Sequence, residues 1–85
     1  MDLEEFGQAL RSRRNLLKLT QQEIASTTGM SRATISNLEN GKISELGLRK
    51  AMALCATLGL EICVREITRR PTLRDLLAEE RERDA

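Results

Sequence analysis

The chain contains no histidine, no tryptophan and no tyrosine, and Phe6 is its one aromatic residue. Without histidine, the usual general base and the commonest metal ligand are both missing. There are two cysteines, Cys55 and Cys63. They are too few for a zinc site, which needs about four ligands, so they read as packed thiols in a reducing compartment and not as a disulfide frame. Apolar runs are short, against the ~20 consecutive residues that span a bilayer. The opening Met1-Asp2-Leu3-Glu4-Glu5 is acidic and lacks an apolar stretch, so no signal peptide is expected and a cytoplasmic location follows. No nucleophile–base pair, Gly-rich phosphate loop or metal-ligand spacing is present, so no enzyme, metal or cofactor is expected. At 85 residues the chain makes one small domain. An aliphatic core of that size is marginal, because about 60 residues bury only roughly 60% of their unfolded surface. A second subunit would complete it.

Charge is abundant, at 32% of residues, and it nearly cancels to a net +1. The cancellation hides a division. Residues 10–42 carry six basic residues (Arg11, Arg13, Arg14, Lys18, Arg32, Lys42) against Glu23 and Glu39, whereas residues 71–85 carry three basic against five acidic. A basic segment is either a solvated surface or a face for nucleic acid, and position decides between them.

Apolar residues recur at helical spacing through most of the chain. Leu3, Phe6, Leu10 and Leu17 define a first helix over 3–18, with Arg14 on the same stripe. Thr20-Gln21-Gln22-Glu23 is a capping box opening a second helix over 21–27, with Ile24, Ala25 and Thr28 inward and Gly29 as its stop. Ser31 is placed to cap a third helix over 32–39, with Met30 stapling onto Ile35 and Asn40-Gly41 ending it. A fourth helix over 47–58 has Leu48, Ala51, Met52, Cys55 and Leu58 as its apolar face, closed by Gly59. Met30 and Met52 are assigned to the core. Residues 60–66 alternate, with Leu60, Ile62 and Val64 on one side, and read as one strand. A lone strand leaves its backbone edges unpaired. Either it pairs with its own copy across a two-fold axis, giving a closed dimer, or it is not a strand. Pro71 then breaks the chain before a short acidic tail helix carrying Leu73, Leu76 and Leu77. The expected organisation is a domain over 1–67 and a tail over 68–85.

Two short helices joined by a turn containing glycine, with the small Ala25 where they approach and Ile24, Ile35 and Leu38 inward, form the pattern of a helix-turn-helix. The residues Leu10-Arg11-Ser12-Arg13-Arg14, Leu19-Thr20-Gln21-Gln22-Glu23-Ile24-Ala25, the run from Gly29 to Lys42, and Leu58-Gly59-Leu60 resemble the lambda-repressor/Cro-like (XRE) helix-turn-helix family. The resemblance covers residues 3–60. It implies an all-α, four- to five-helix DNA-binding domain, here followed by one C-terminal strand. Within that family, residues 33–40 and 60–64 look most like the HipB-type antitoxins, which also place one strand after the fourth helix and pair it across the dimer.

The resemblance implies a dimeric, nucleoid-associated repressor on a palindromic operator, in its most concrete version autoregulating a toxin–antitoxin operon. The alternative is an antitoxin acting mainly by neutralising a partner toxin through the tail residues Leu73, Leu76 and Leu77. Base edges in the major groove would be read by Arg32, Ala33, Thr34, Ser36 and Asn37. Arg32 suits guanine, Asn37 suits adenine, and Ala33 and the Thr34 methyl suit thymine. Phosphates would be held by Gln21, Ser31, Asn40 and Lys42, with the backbone after the third helix. Arg14 and Glu39 match a partly buried ion pair of the family, so both are read as structural.

Overall fold

A computed structural model of the chain describes residues 1–67 and, separately, Leu77. Four helices follow in order: α1 (Leu3–Leu16), α2 (Gln21–Thr28), α3 (Arg32–Glu39) and α4 (Leu48–Thr57). The starts of α1, α2 and α3 follow from side-chain acceptors for otherwise unpaired N–H groups, whereas α4 begins at Gly47 without one. Asp2 accepts from the Glu5 N–H at 2.8 Å, Thr20 from the Glu23 N–H at 3.0 Å, and Ser31 from the Thr34 N–H at 3.1 Å. The Thr20 box closes differently from the expected reciprocal pattern, because the Glu23 carboxylate accepts from the Thr20 hydroxyl at 3.1 Å. Glu4 and Glu5 in the first turn of α1, with Arg13 and Arg14 in its last, complement the helix dipole.

The helix ends are equally specific. Gly29 closes α2 at φ 74°, a left-handed conformation that a Cβ resists. α1 ends two residues before the expected boundary, at a turn where Lys18 takes φ 57° and the Leu19 N–H reaches back to the Arg14 carbonyl at 3.0 Å. After α4, the Leu60 N–H donates to the Cys55 carbonyl at 2.7 Å, which spends the first donor of the following segment.

Leu10, Ile24, Ala25, Ile35, Leu38, Leu54, Cys55 and Leu58 form the buried core, with Leu3, Phe6, Leu19, Met30, Ile43 and Leu46 packed against it. Three inward assignments are corrected here. Leu17 lies past the end of α1 and is exposed, and on α4 Leu48 and Met52 face outward, at 66% and 55% exposure. Leu54, which the sequence reading passed over, is buried instead. The α4 sequence carries two apolar stripes, 48/52 and 51/54/55/58, and periodicity alone does not say which one the other helices cover. The thiols also divide, with Cys55 buried and Cys63 exposed, so only the former is a packed thiol. Burial pushes the Cys55 thiol above its ordinary range.

Residues 60–67 form no helix and no strand pairing within the single chain, and all are exposed. Among the described residues, no helix is long and apolar enough to cross a membrane. The expected tail helix lies outside the described residues, apart from Leu77, which is exposed.

Candidate nucleic-acid interface

α2 and α3 meet across the Gly29 turn with Ile24, Ala25, Ile35 and Leu38 buried between them and the rest of the core. Burying Ile35 and Leu38 leaves the opposite face of α3 outward. Arg32, Ala33 and Asn37 are exposed there, and Ser36 is half-buried. Thr34 sits closer to the protein, its hydroxyl 2.7 Å from that of Ser31, so its oxygen belongs to the helix cap and its methyl is what remains. Ser31 is likewise occupied as the cap, though its side chain is exposed. Asn40 reaches back to the Ser36 hydroxyl at 3.4 Å, and Lys42 is exposed.

The first three backbone donors after α3 are already paired. The N–H groups of Asn40, Gly41 and Lys42 donate to the carbonyls of Ser36, Leu38 and Asn37, at 3.0, 3.2 and 2.8 Å. These three close the helix end, so over residues 40–42 the side chains of Asn40 and Lys42 are what the site offers an anion. The N–H groups of Gln21 and Gln22, in the first turn of α2, have no intrahelical acceptor by construction.

Arg14 ties these elements together. Its Nε and Nη2 donate to the two Glu39 carboxylate oxygens at 2.8 and 2.9 Å, a bidentate pair. Its Nη1 donates to the Leu19 carbonyl at 2.8 Å. The Gln21 amide donates to Glu39 Oε1 at 3.2 Å. One guanidinium and one carboxylate thus join α1, the α1–α2 turn, α2 and α3. Desolvation by burial pushes the Glu39 carboxyl upward, but the hydrogen bonds from Arg14 and Gln21 and the nearby positive charges outweigh it and hold the carboxyl below its ordinary value. The hydrogen bond to Glu39 raises the Arg14 guanidinium further. Gln21, assigned to phosphate from the sequence, is therefore oriented from behind by Glu39.

Two residues that position the site were missed. Gly7, buried in α1, lies against the end of α3, where an added Cβ would stand 2.0 Å from the Leu38 carbonyl oxygen. Its signal was a glycine inside a helix, which loses stability unless packing demands it. Arg13 donates from Nε to the Leu58 carbonyl at 2.9 Å, fastening the end of α4 to α1. Arg14 stands out by lying on the apolar stripe, but nothing in spacing alone distinguishes Arg13 from Arg11.

Among the described residues no group of three potential ligands is placed to hold a metal ion. Over 40 residues the chain is 50% identical to the uncharacterized HTH-type transcriptional regulator RghRB of Bacillus subtilis strain 168. It is 48% identical, also over 40 residues, to the HTH-type transcriptional repressor RghR of the same organism. Each match takes in 47% of this chain and spans 29% and 30%, under a third, of those two relatives. The helix-turn-helix family profile matches residues 10–64, a span holding the Arg14–Glu39 pair, both helices of the motif and the segment after α4. The chain belongs to the XRE-type helix-turn-helix family.

Proposed function

We propose that this protein is a transcriptional repressor that binds a palindromic operator as a dimer, laying α3 in the major groove of each half-site. The observation that carries the reading is the division of α3, with Ile35, Leu38 and Glu39 buried behind and Arg32, Ala33 and Asn37 exposed in front. The major groove admits a helix, and its base pairs present distinct donor and acceptor patterns to such a face. Arg32, at the first position of the helix, reads guanine through its two-pronged donor set. Ala33 contacts a thymine methyl, as does the methyl of Thr34, and Asn37 and Ser36 reach further edges. Gln21, Asn40 and Lys42 hold phosphates on either side, and Ser31 acts by fixing the helix start. The two relatives are named as a transcriptional regulator and a transcriptional repressor, which supports the same activity.

Arg32→Ala loses roughly 1–3 kcal/mol of operator affinity while non-specific binding stays nearly unchanged. Titration of selected and scrambled duplexes at one salt concentration checks this. Equal losses on both duplexes remove Arg32 from base reading.

The dimer is supported by Leu60, Ile62 and Val64, whose side chains alternate along an exposed segment at 36%, 42% and 99% exposure. Pairing this segment with its copy satisfies the backbone edges of both. Light scattering after size exclusion shows a dimer for the wild type and a monomer for Val64→Pro, since proline deletes a ladder donor. A monomeric wild type ends the strand reading. Autorepression of a toxin–antitoxin operon is the narrower version, resting on the likeness of residues 33–40 and 60–64 to HipB-type antitoxins. The alternative, neutralisation of a toxin through Leu73, Leu76 and Leu77, draws on a tail that lies outside the described residues save Leu77.

A further inference from the structure

We propose that the two copies pair through residues 60–66 with Cys63 on the two-fold axis, directly opposite the partner's Cys63. The proposal rests on the dimer reading above and adds its register. In an antiparallel ladder, hydrogen-bonded and non-hydrogen-bonded pairs alternate. If residue i lay opposite i+1 of the copy, the neighbouring pair, i+1 opposite i, would be its symmetry mate yet of the other type, which is a contradiction. One residue must therefore face its own copy.

Three centres fall within the segment's middle: Ile62, Cys63 and Val64. Gly59 sets the limit on one side, because its φ of 71° turns the chain out of extended geometry. Pairing can begin only at Leu60. With Ile62 central, the ladder then covers 60–64, Glu61 faces a thiol, and Arg65 falls opposite Gly59. With Val64 central, Ile62 faces Glu66 and Arg65 faces a thiol. With Cys63 central, the ladder runs the whole of 60–66. Glu61 then faces Arg65 and Ile62 faces Val64 on both sides of the axis, and the one apolar–charged pair, Leu60 with Glu66, falls at the two ladder ends and not beside the centre. Opposite charges and β-branched pairs placed directly across are the favourable cross-strand combinations. Glu61, Cys63 and Arg65 share one face, with Leu60, Ile62 and Val64 on the other, as alternation requires. The Ile62-centred register pairs Leu60 with Val64, but it gives up both ion pairs and two residues of ladder.

The register has a geometric consequence for DNA. Changing the central residue from 63 to 62 slides one chain past the other by two residues, about 7 Å along the strand. The same slide displaces the two reading heads relative to each other, so the ladder register bears on their spacing.

Oxidation of the 85-residue chain tests it. Residues directly opposite have Cα atoms about 4.5–5.5 Å apart, inside the roughly 4.4–6.8 Å that a disulfide spans, while diagonal neighbours at about 7–8 Å lie at or past its limit. With diamide accepting the two protons and two electrons, the two Cys63 thiols form one S–S bond. The expected result is a covalent dimer on a non-reducing gel, formed at a rate independent of tenfold dilution within the dimeric range, reversed by dithiothreitol and lost in Cys63→Ser. Cys55 stays out of the reaction because it is buried. Ile62→Cys in the Cys63→Ser background stays uncrosslinked. Glu61→Arg weakens the dimer about tenfold, and adding Arg65→Glu restores it. A dimer by light scattering that crosslinks through Ile62→Cys and not through Cys63 overturns the register and leaves the dimer standing. A dimer that crosslinks through neither also overturns it, and a monomer overturns both readings.

Discussion

Gly7→Ala lowers the melting temperature by roughly 10–20 °C, the shift that about 2–3 kcal/mol produces in a domain this small. The new methyl carbon would stand 2.0 Å from the Leu38 carbonyl oxygen and 2.9 Å from its carbon. Both are backbone atoms of α3, so no side chain can swing away, and the helices themselves must part. Overpacking typically costs ~1–3 kcal/mol and sometimes more. A 2.0 Å contact with backbone sits at or past the top of that range, roughly 3–4 kcal/mol. The ~1 kcal/mol that alanine gains over glycine in a helix leaves about 2–3 kcal/mol of it. Gly29→Ala is the comparison. Nothing lies within 4 Å of a Cβ there, but φ is +74°, so it isolates the left-handed penalty, about 1–2 kcal/mol. Thermal melts of the three proteins by circular dichroism rank wild type above Gly29→Ala and Gly29→Ala above Gly7→Ala. A Gly7→Ala melt equal to that of Gly29→Ala or higher contradicts the close α1–α3 contact.

Arg14→Ala is expected to destabilise by about 3 kcal/mol, the lower end of what breaking a buried pair costs, since the Arg14 side chain keeps 13% exposure while Glu39 keeps 3%. The loss comes from the stranded Glu39 carboxylate, left with the Gln21 amide alone, and from the freed Leu19 carbonyl. Arg14→Met combined with Glu39→Leu removes both charges and recovers much of the loss, because an apolar replacement of a whole buried pair is often near neutral. Urea titrations of the single and double variants measure the difference. The acid limb carries the same signature. Glu39 is held below its ordinary value in the folded chain, so its contribution is complete above the unfolded carboxylate range and disappears as pH falls through the lower folded value. In the double variant that part of the acid dependence is absent.

Much of this architecture is legible in the sequence because caps are local. Thr20, Ser31 and Gly29 each act within three residues of the boundary they fix, and α3 begins and ends where Ser31 and Asn40 place it. Leu48 and Met52 were assigned inward, and Leu54 went unassigned, for the opposite reason. Both stripes of α4 are apolar, and burial is decided by helices more than 20 residues away in the chain. The same holds for Cys63, whose alternation gave its side of the segment but not its exposure. At the site, Arg14 and Glu39 were legible through the family resemblance and the charge on an apolar stripe. The role of Gln21 as a second donor to Glu39, and of Gly7 as the contact point of α1 and α3, depends on distances that no spacing encodes.

The outward face of α3 is built mostly from short side chains: Ala33, Ser36 and Asn37 beside the single long Arg32. Short chains lose little rotamer freedom on binding, which lowers the entropic cost of reading DNA. They also have little reach with which to follow a displaced groove. Recognition then depends on where the backbone of α3 stands, and that position is set from behind, by Gly7 and by the Arg14–Glu39 pair. On the proposed reading of α3, variation at those hidden positions is expected to show as lost sequence discrimination, even where every outward side chain of α3 is intact.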